Sequence, residues 1–211
     1  YEVFLWPVVF AFVSGILLLS MVRMPDHVNP LTGLFMLGMV WFVTIVFGAI
    51  PFILSGMAPV DAVFESCSGF TTTGATVMTD IESWSNGILL WRSMTQWVGG
   101  IAIIIIFLLL MPMVGFGSRN LLGNEMTGSG SGNFSTKMKD AAKQFAIVYI
   151  GLSAIMAILL SFMGVDLLST LCMTFSSIST GGFLNTADSM AGEMWYVKWV
   201  VILFMFLGGV N

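Results

Sequence analysis

Long apolar stretches alternate along this chain with short polar breaks. Residues 3–22, 31–54, 88–111 and 141–163 each read as a mainly apolar run. Twenty such residues make about 30 Å of helix, the thickness of a bilayer's hydrocarbon core. A fifth run opens at Trp195 and reaches Asn211. Seventeen residues give only about 25 Å of helix. With Tyr1 in place of an initiating Met, this predicts a piece cut from a longer chain.

Two shorter segments break the pattern. Residues 61–70 and 165–175 are amphipathic and too short to cross, so each predicts a half-helix that enters the membrane and stops. Each leads into a polar run, Thr71-Thr72-Thr73-Gly74-Ala75 in the first case and Ile178-Ser179-Thr180-Gly181-Gly182 in the second. A spacing of 107 positions sets Gly74 opposite Gly181. An acid opens each half-helix region, Asp61 and Asp166, and a Gly pair lies in each following apolar helix, Gly99-Gly100 and Gly208-Gly209. The chain therefore reads as a twice-repeated unit of helix, half-helix, polar loop and helix.

Non-helical backbone at membrane depth must be buried in protein or line a water-filled path, because each unpaired N–H or C=O in hydrocarbon costs several kcal/mol. Threonines ahead of a glycine offer hydroxyl and carbonyl oxygens. Glycine adopts positive φ readily, which lets successive carbonyls turn toward one axis and replace the water around a cation. The C-terminal end of each half-helix adds partial negative charge to the same place.

Composition agrees with the pattern. The chain is 57% hydrophobic and 9% charged over 211 residues, with mean hydropathy +0.98, against roughly 25% charged in soluble domains. This predicts an all-α integral membrane protein. Four of the seven basic residues, Arg119, Lys137, Lys139 and Lys143, lie in or beside the Gly/Ser-rich stretch 113–139, which the positive-inside rule sets in the cytoplasm together with Arg23. The loops then face outside, with Asp61, Glu65, Asp80, Glu82, Asp166, Asp188 and Glu193 forming an acidic vestibule that concentrates cations. Arg92 either supports the loops or snorkels to the interface. Trp84, Trp91 and Trp97 are expected at headgroup level. His27 reads as a solvated loop residue, and Cys67 and Cys172, at similar places in the two units, read as small buried hydrophobes. With no P-loop, dinucleotide fingerprint, nucleophile elbow or intramembrane catalytic pair in view, neither an enzyme nor a nucleic-acid partner is expected.

The runs Phe64-Glu65-Ser66-Cys67-Ser68-Gly69-Phe70-Thr71-Thr72-Thr73-Gly74-Ala75-Thr76, Trp91-Arg92-Ser93-Met94-Thr95-Gln96-Trp97-Val98-Gly99-Gly100 and Ser179-Thr180-Gly181-Gly182-Phe183 resemble the Trk/Ktr/HKT superfamily of potassium transporters, most closely its bacterial Trk/Ktr membrane subunit. The resemblance implies a potassium-channel-like fold of four helix–pore loop–helix repeats, of which two are present. It divides the chain into an extra N-terminal membrane helix and turn (1–30), a first repeat (31–112), a cytoplasmic linker (113–139) and a truncated second repeat (140–211). It also implies potassium uptake through a selectivity filter. Thr72, Thr73, Gly74, Ser179, Thr180 and Gly181 would meet the ion, and Thr71, Ala75, Ile178, Gly182, Asp61, Asp166 and Arg92 would support them.

By the same resemblance the protein would be a multi-pass homodimer in the bacterial inner membrane, controlled by a cytoplasmic nucleotide-binding subunit. Its cargo is K+, with no cofactor. Two other readings stay open, a secondary transporter of a small organic substrate, with its site at a broken helix, and a less selective transporter of potassium and sodium.

Overall fold

A computed structural model describes residues 30–114, 132–188 and 190–210, with side chains described at 32–33, 35–106, 140–188 and 190–210. The expected first helix at 3–22, His27 and most of the linker lie outside these residues. Six helices are described, α1 (Pro30–Leu54), α2 (Pro59–Phe70), α3 (Asn86–Val114), α4 (Gly132–Phe162), α5 (Leu167–Ile178) and α6 (Trp195–Gly209). All regular structure among the described residues is helical.

α1, α3 and α4 contain stretches long and apolar enough to cross a bilayer, Phe35–Leu54, Asn86–Ile106 and Asp140–Phe162. α2 and α5 have 12 residues each, which is about 18 Å and less than a crossing. α4 begins earlier than its apolar pattern suggests. Helical backbone runs through 132–139, which the sequence assigned to the linker, because its polar residues continue the helix beyond the apolar span.

The chain divides into two compact units, Tyr1–Ser68 with Ala75–Val77 and Gly69–Gly74 with Met78–Asn211. In the first unit, α2 is tied to α1 by the Ser66 hydroxyl, which donates to the Ile45 carbonyl at 2.7 Å. In the second, α5 is packed by α3, α4 and α6. Tyr149, Met156 and Leu160 of α4, Met173 and Ile178 of α5, and Val197, Val201 and Phe204 of α6 form its apolar core.

Outside that core the usual distribution is reversed. The buried set includes Ser169, Thr170, Thr174, Ser176, Ser177, Arg92 and Gln96, whereas Ile147, Val148, Ile150, Ile158, Trp199, Ile202 and Phe206 are exposed. A soluble domain does not present such a surface. Small and hydroxyl-bearing residues between helices, with large apolar ones outward, are what lipid as solvent selects.

The same turn leads into both short helices. Met57 N–H donates to the Phe52 carbonyl and Val165 N–H to the Leu160 carbonyl, with Gly56 at φ +100° and Gly164 at φ +83°. These pairs lie 108 positions apart, as do the ends of α2 and α5. The structural repeat is therefore 108 residues, one more than the motif match suggested. In this register Asp61 and Asp166 are not equivalent, nor are Cys67 and Cys172. Asp166 is the N-cap of α5 and accepts from Ser169 N–H at 3.0 Å; Asp61 lies inside the first turn of α2.

The Ser169 hydroxyl and backbone N–H hold the Asp166 carboxyl below its ordinary value of 3.8. Removing the cap by Asp166→Ala is expected to destabilise the protein by about 1 kcal/mol, measured by thermal unfolding in detergent. The charge-dependent part, read as wild type minus Asp166→Asn, is fully present above the ordinary carboxyl value. It fades as pH falls through the lowered folded-state value.

Candidate functional site

Each short helix ends in a backbone turn that side chains rarely adopt. Thr72 and Thr180 both have φ +54°, and two residues on Gly74 has φ +76° and Gly182 φ +91°. A β-branched residue in this region is an outlier, and such strain costs about 1–3 kcal/mol per residue and gathers at functional sites. Thr72 N–H donates to the Gly69 carbonyl at 2.9 Å and Thr180 N–H to the Ser177 carbonyl at 3.1 Å. The two loops thus share this turn at the 108-residue spacing.

That spacing changes the pairing of loop residues. Thr71 corresponds to Ser179, Thr72 to Thr180, Thr73 to Gly181, Gly74 to Gly182 and Ala75 to Phe183. Gly182, assigned a supporting place by the motif match, is the left-handed partner of Gly74. It is exposed, as is Thr180, whereas Gly181 is buried.

The loops meet inside the second unit. A Cβ on Gly74 would fall on the carbonyl oxygen of Gly181, and one on Gly181 would fall on the side-chain amide of Gln96. The following helices approach just as closely. A Cβ on Gly99 would strike the Phe70 carbonyl oxygen, and one on Gly208 would come within 2.6 Å of the Ile178 carbonyl oxygen. The first glycine of each pair therefore lets a helix lie directly on the last residue before a loop. Gly100 faces the Tyr149 hydroxyl and Ser179, while Gly209 has open space.

Different groups brace the two loops. In the first, the Thr71 and Thr73 hydroxyls share a 2.7 Å hydrogen bond. In the first unit, Ser68 Oγ donates to the Ala75 carbonyl, and the buried Glu65 carboxylate accepts from Thr76 Oγ1 at 2.8 Å and Val77 N–H at 3.1 Å. The second loop is held from α3. Arg92, 2% exposed, donates from Nη1 to the Leu184 carbonyl at 2.9 Å and stacks its guanidinium 3.8 Å above the Phe183 ring. Gln96 Oε1 accepts from Phe183 N–H at 3.0 Å.

Arg92 thus sits inside the protein rather than snorkelling. Trp97 is half-buried, donates to Ser153 Oγ at 2.9 Å and packs its ring against Tyr149 and Phe175. Cys67 and Cys172 are free thiols, the second buried. Glu65, expected in an acidic vestibule, is instead fully buried against the first loop's exit, and Gln96 was not singled out. A signal existed for Gln96, a polar group four positions after Arg92 in an apolar helix, hence on the same face.

A family model described as TrkH, cation transport protein, matches residues 8–211. The chain is 34% identical over 177 residues to the Trk system potassium uptake protein TrkH of Escherichia coli K12, covering 81% of this chain and 36% of that protein. It is 30% identical over 190 residues to the Trk system potassium uptake protein TrkI of Halomonas elongata, covering 88% and 38%. The crystal structure of the potassium transporter TrkH from Vibrio parahaemolyticus is similar with TM-score 0.75 and 26% identity, over 90% of this chain and 38% of the other. The chain therefore spans a little over a third of the length of these relatives.

The close approaches predict a sharp contrast among helix glycines. Gly99→Ala should destabilise by about 1–3 kcal/mol because the added methyl meets backbone that must move. Gly151→Ala, with nothing within 4 Å of its Cβ position, should leave the thermal midpoint in detergent near wild type.

Proposed function

The chain belongs to the TrkH family of cation transport proteins, and on that premise we propose that it supplies two loops of a potassium-selective filter in a protein that takes up potassium across the bacterial cytoplasmic membrane. One observation carries the proposal. Two loops, each at the C-terminal end of a helix too short to cross, share a left-handed Thr and a left-handed Gly at one spacing.

In this reading oxygens of Thr72, Thr73 and Gly74 and of Ser179, Thr180, Gly181 and Gly182 stand in for part of a potassium ion's hydration shell. The 108-residue register supports Gly182, rather than Gly181, as the counterpart of Gly74. Partial negative charge at the ends of α2 and α5 stabilises a desolvated cation. Asp61 and Asp166, both exposed at the opposite ends of those helices, attract cations toward the entrance. Arg92 holds the chain just after the second loop, and Thr71, Ala75 and Ile178 frame the turns.

The remaining filter oxygens belong to two further repeats of a longer protein. That protein is read as a multi-pass homodimer controlled by a cytoplasmic nucleotide-binding subunit, and K+ is its cargo. Residues 1–30, 31–112, 113–139 and 140–211 serve as extra helix, first repeat, cytoplasmic linker and partial second repeat.

The test is potassium or rubidium uptake against sodium uptake by the full-length protein in proteoliposomes under an imposed potential. Wild type should favour potassium, and Gly74→Ser and Gly182→Ser should each lower the ratio by about tenfold, the equivalent of a loss of about 1.4 kcal/mol of preference. An unchanged ratio in both variants would remove the loops from the filter. Uptake of neither ion by intact protein would favour an organic-substrate transporter.

A further inference from the structure

A buried side chain bonded to the second loop also lies near Gly74 of the first. Gln96 is fully buried on α3. Its Oε1 accepts from Phe183 N–H at 3.0 Å, its amide fills the space a Cβ on Gly181 would need, and its Nε2 lies 3.8 Å from the Cβ position of Gly74. This Nε2 has no hydrogen-bond partner.

The missing bond shows which bond governs the amide's orientation. Turning the amide over would set its NH2 against Phe183 N–H, donor against donor. The orientation that satisfies Phe183 therefore prevails, although an unsatisfied buried donor costs about 1–3 kcal/mol. Native structures keep few such groups, and those they keep accompany function or stored strain.

We propose that Gln96 is a specificity-determining positioning residue that fixes the setting of one loop against the other. This inference rests on reading the loops as a filter. Phe183 N–H belongs to the peptide that carries the Gly182 carbonyl, so the bond to Oε1 sets the rotation of that peptide and the direction of its oxygen. The same amide lies against Gly181, whose carbonyl oxygen adjoins Gly74. One side chain thereby limits how far the two glycine segments can separate, and cation size is discriminated by that separation. Arg92 acts two peptides further on, at the Leu184 carbonyl, and leaves the Gly182–Phe183 peptide to Gln96.

The full-length protein in proteoliposomes provides the test, with potassium and sodium uptake measured on the same preparations. Gln96→Met keeps the length of the side chain but has no strong acceptor for Phe183 N–H. It should lower the potassium-to-sodium uptake ratio by about tenfold, chiefly by raising sodium uptake, a change equivalent to about 1.4 kcal/mol. A merely structural role would instead lower uptake of both ions and the folded yield together while leaving the ratio unchanged, and that result would overturn the proposal.

A cycle with Gly181→Ala keeps the proposal falsifiable if Gln96→Met folds poorly. Gly181→Ala alone pushes on the amide and should also lower the ratio, whereas adding it to Gln96→Ala, where the space is empty, should change the ratio little further. Additive losses would overturn the proposal. Wild-type protein that carries both ions equally would overturn the filter reading and this inference together. A selective wild type whose ratio survives Gln96→Met would overturn this inference alone.

Discussion

Carbonyl groups just beyond the short helices are the groups around which this chain is arranged. A helix that stops inside a membrane leaves its last carbonyls and the following loop without regular partners, and hydrocarbon supplies none. The structure meets this need with close packing by the next helix. Gly99 and Gly208 bring backbone onto Phe70 and Ile178, the residues immediately before the loops. Any larger residue at these points would meet backbone and force it to move.

From that requirement follows the polar interior. Hydroxyl groups, an arginine and a glutamine are buried among helices whose outer faces carry isoleucine, tryptophan and phenylalanine. Each polar group answers a local need. Ser153 receives the Trp97 indole N–H, Tyr149 reaches the Trp97 carbonyl, and Arg92 reaches the Leu184 carbonyl. In lipid, such bonds between helices add to van der Waals packing where burial of apolar surface gives little drive for association.

The two loops share a backbone but not their supports. A carboxylate on its own short helix, Glu65, secures the first loop's exit in one unit. Residues of the preceding long helix, Arg92 and Gln96, secure the second in the other. At the position equivalent to Glu65 in the 108-residue register stands Met173, which packs in the apolar core. Equivalent backbone is thus braced by different groups, and substitutions at equivalent positions in the two repeats need not behave alike.

Much of this was legible along the chain. Apolar runs of membrane length, two segments too short to cross, and Gly-containing polar strings after them predicted the helices and loops, because hydrocarbon thickness and backbone hydrogen bonding admit few alternatives. The motifs also named most of the loop residues. Matching of letters could not decide their pairing. Consecutive glycines at 181 and 182 allow two alignments, and the backbone selects 108 over 107, through the left-handed φ at Thr180 and Gly182 and the matching turns into the short helices. Nor could the sequence choose between a snorkelling and a bracing Arg92, or pair Trp97 with Ser153 of α4. Those outcomes depend on which helix faces which, and contacts between residues some 90 positions apart are made only when α3 and the second loop come together.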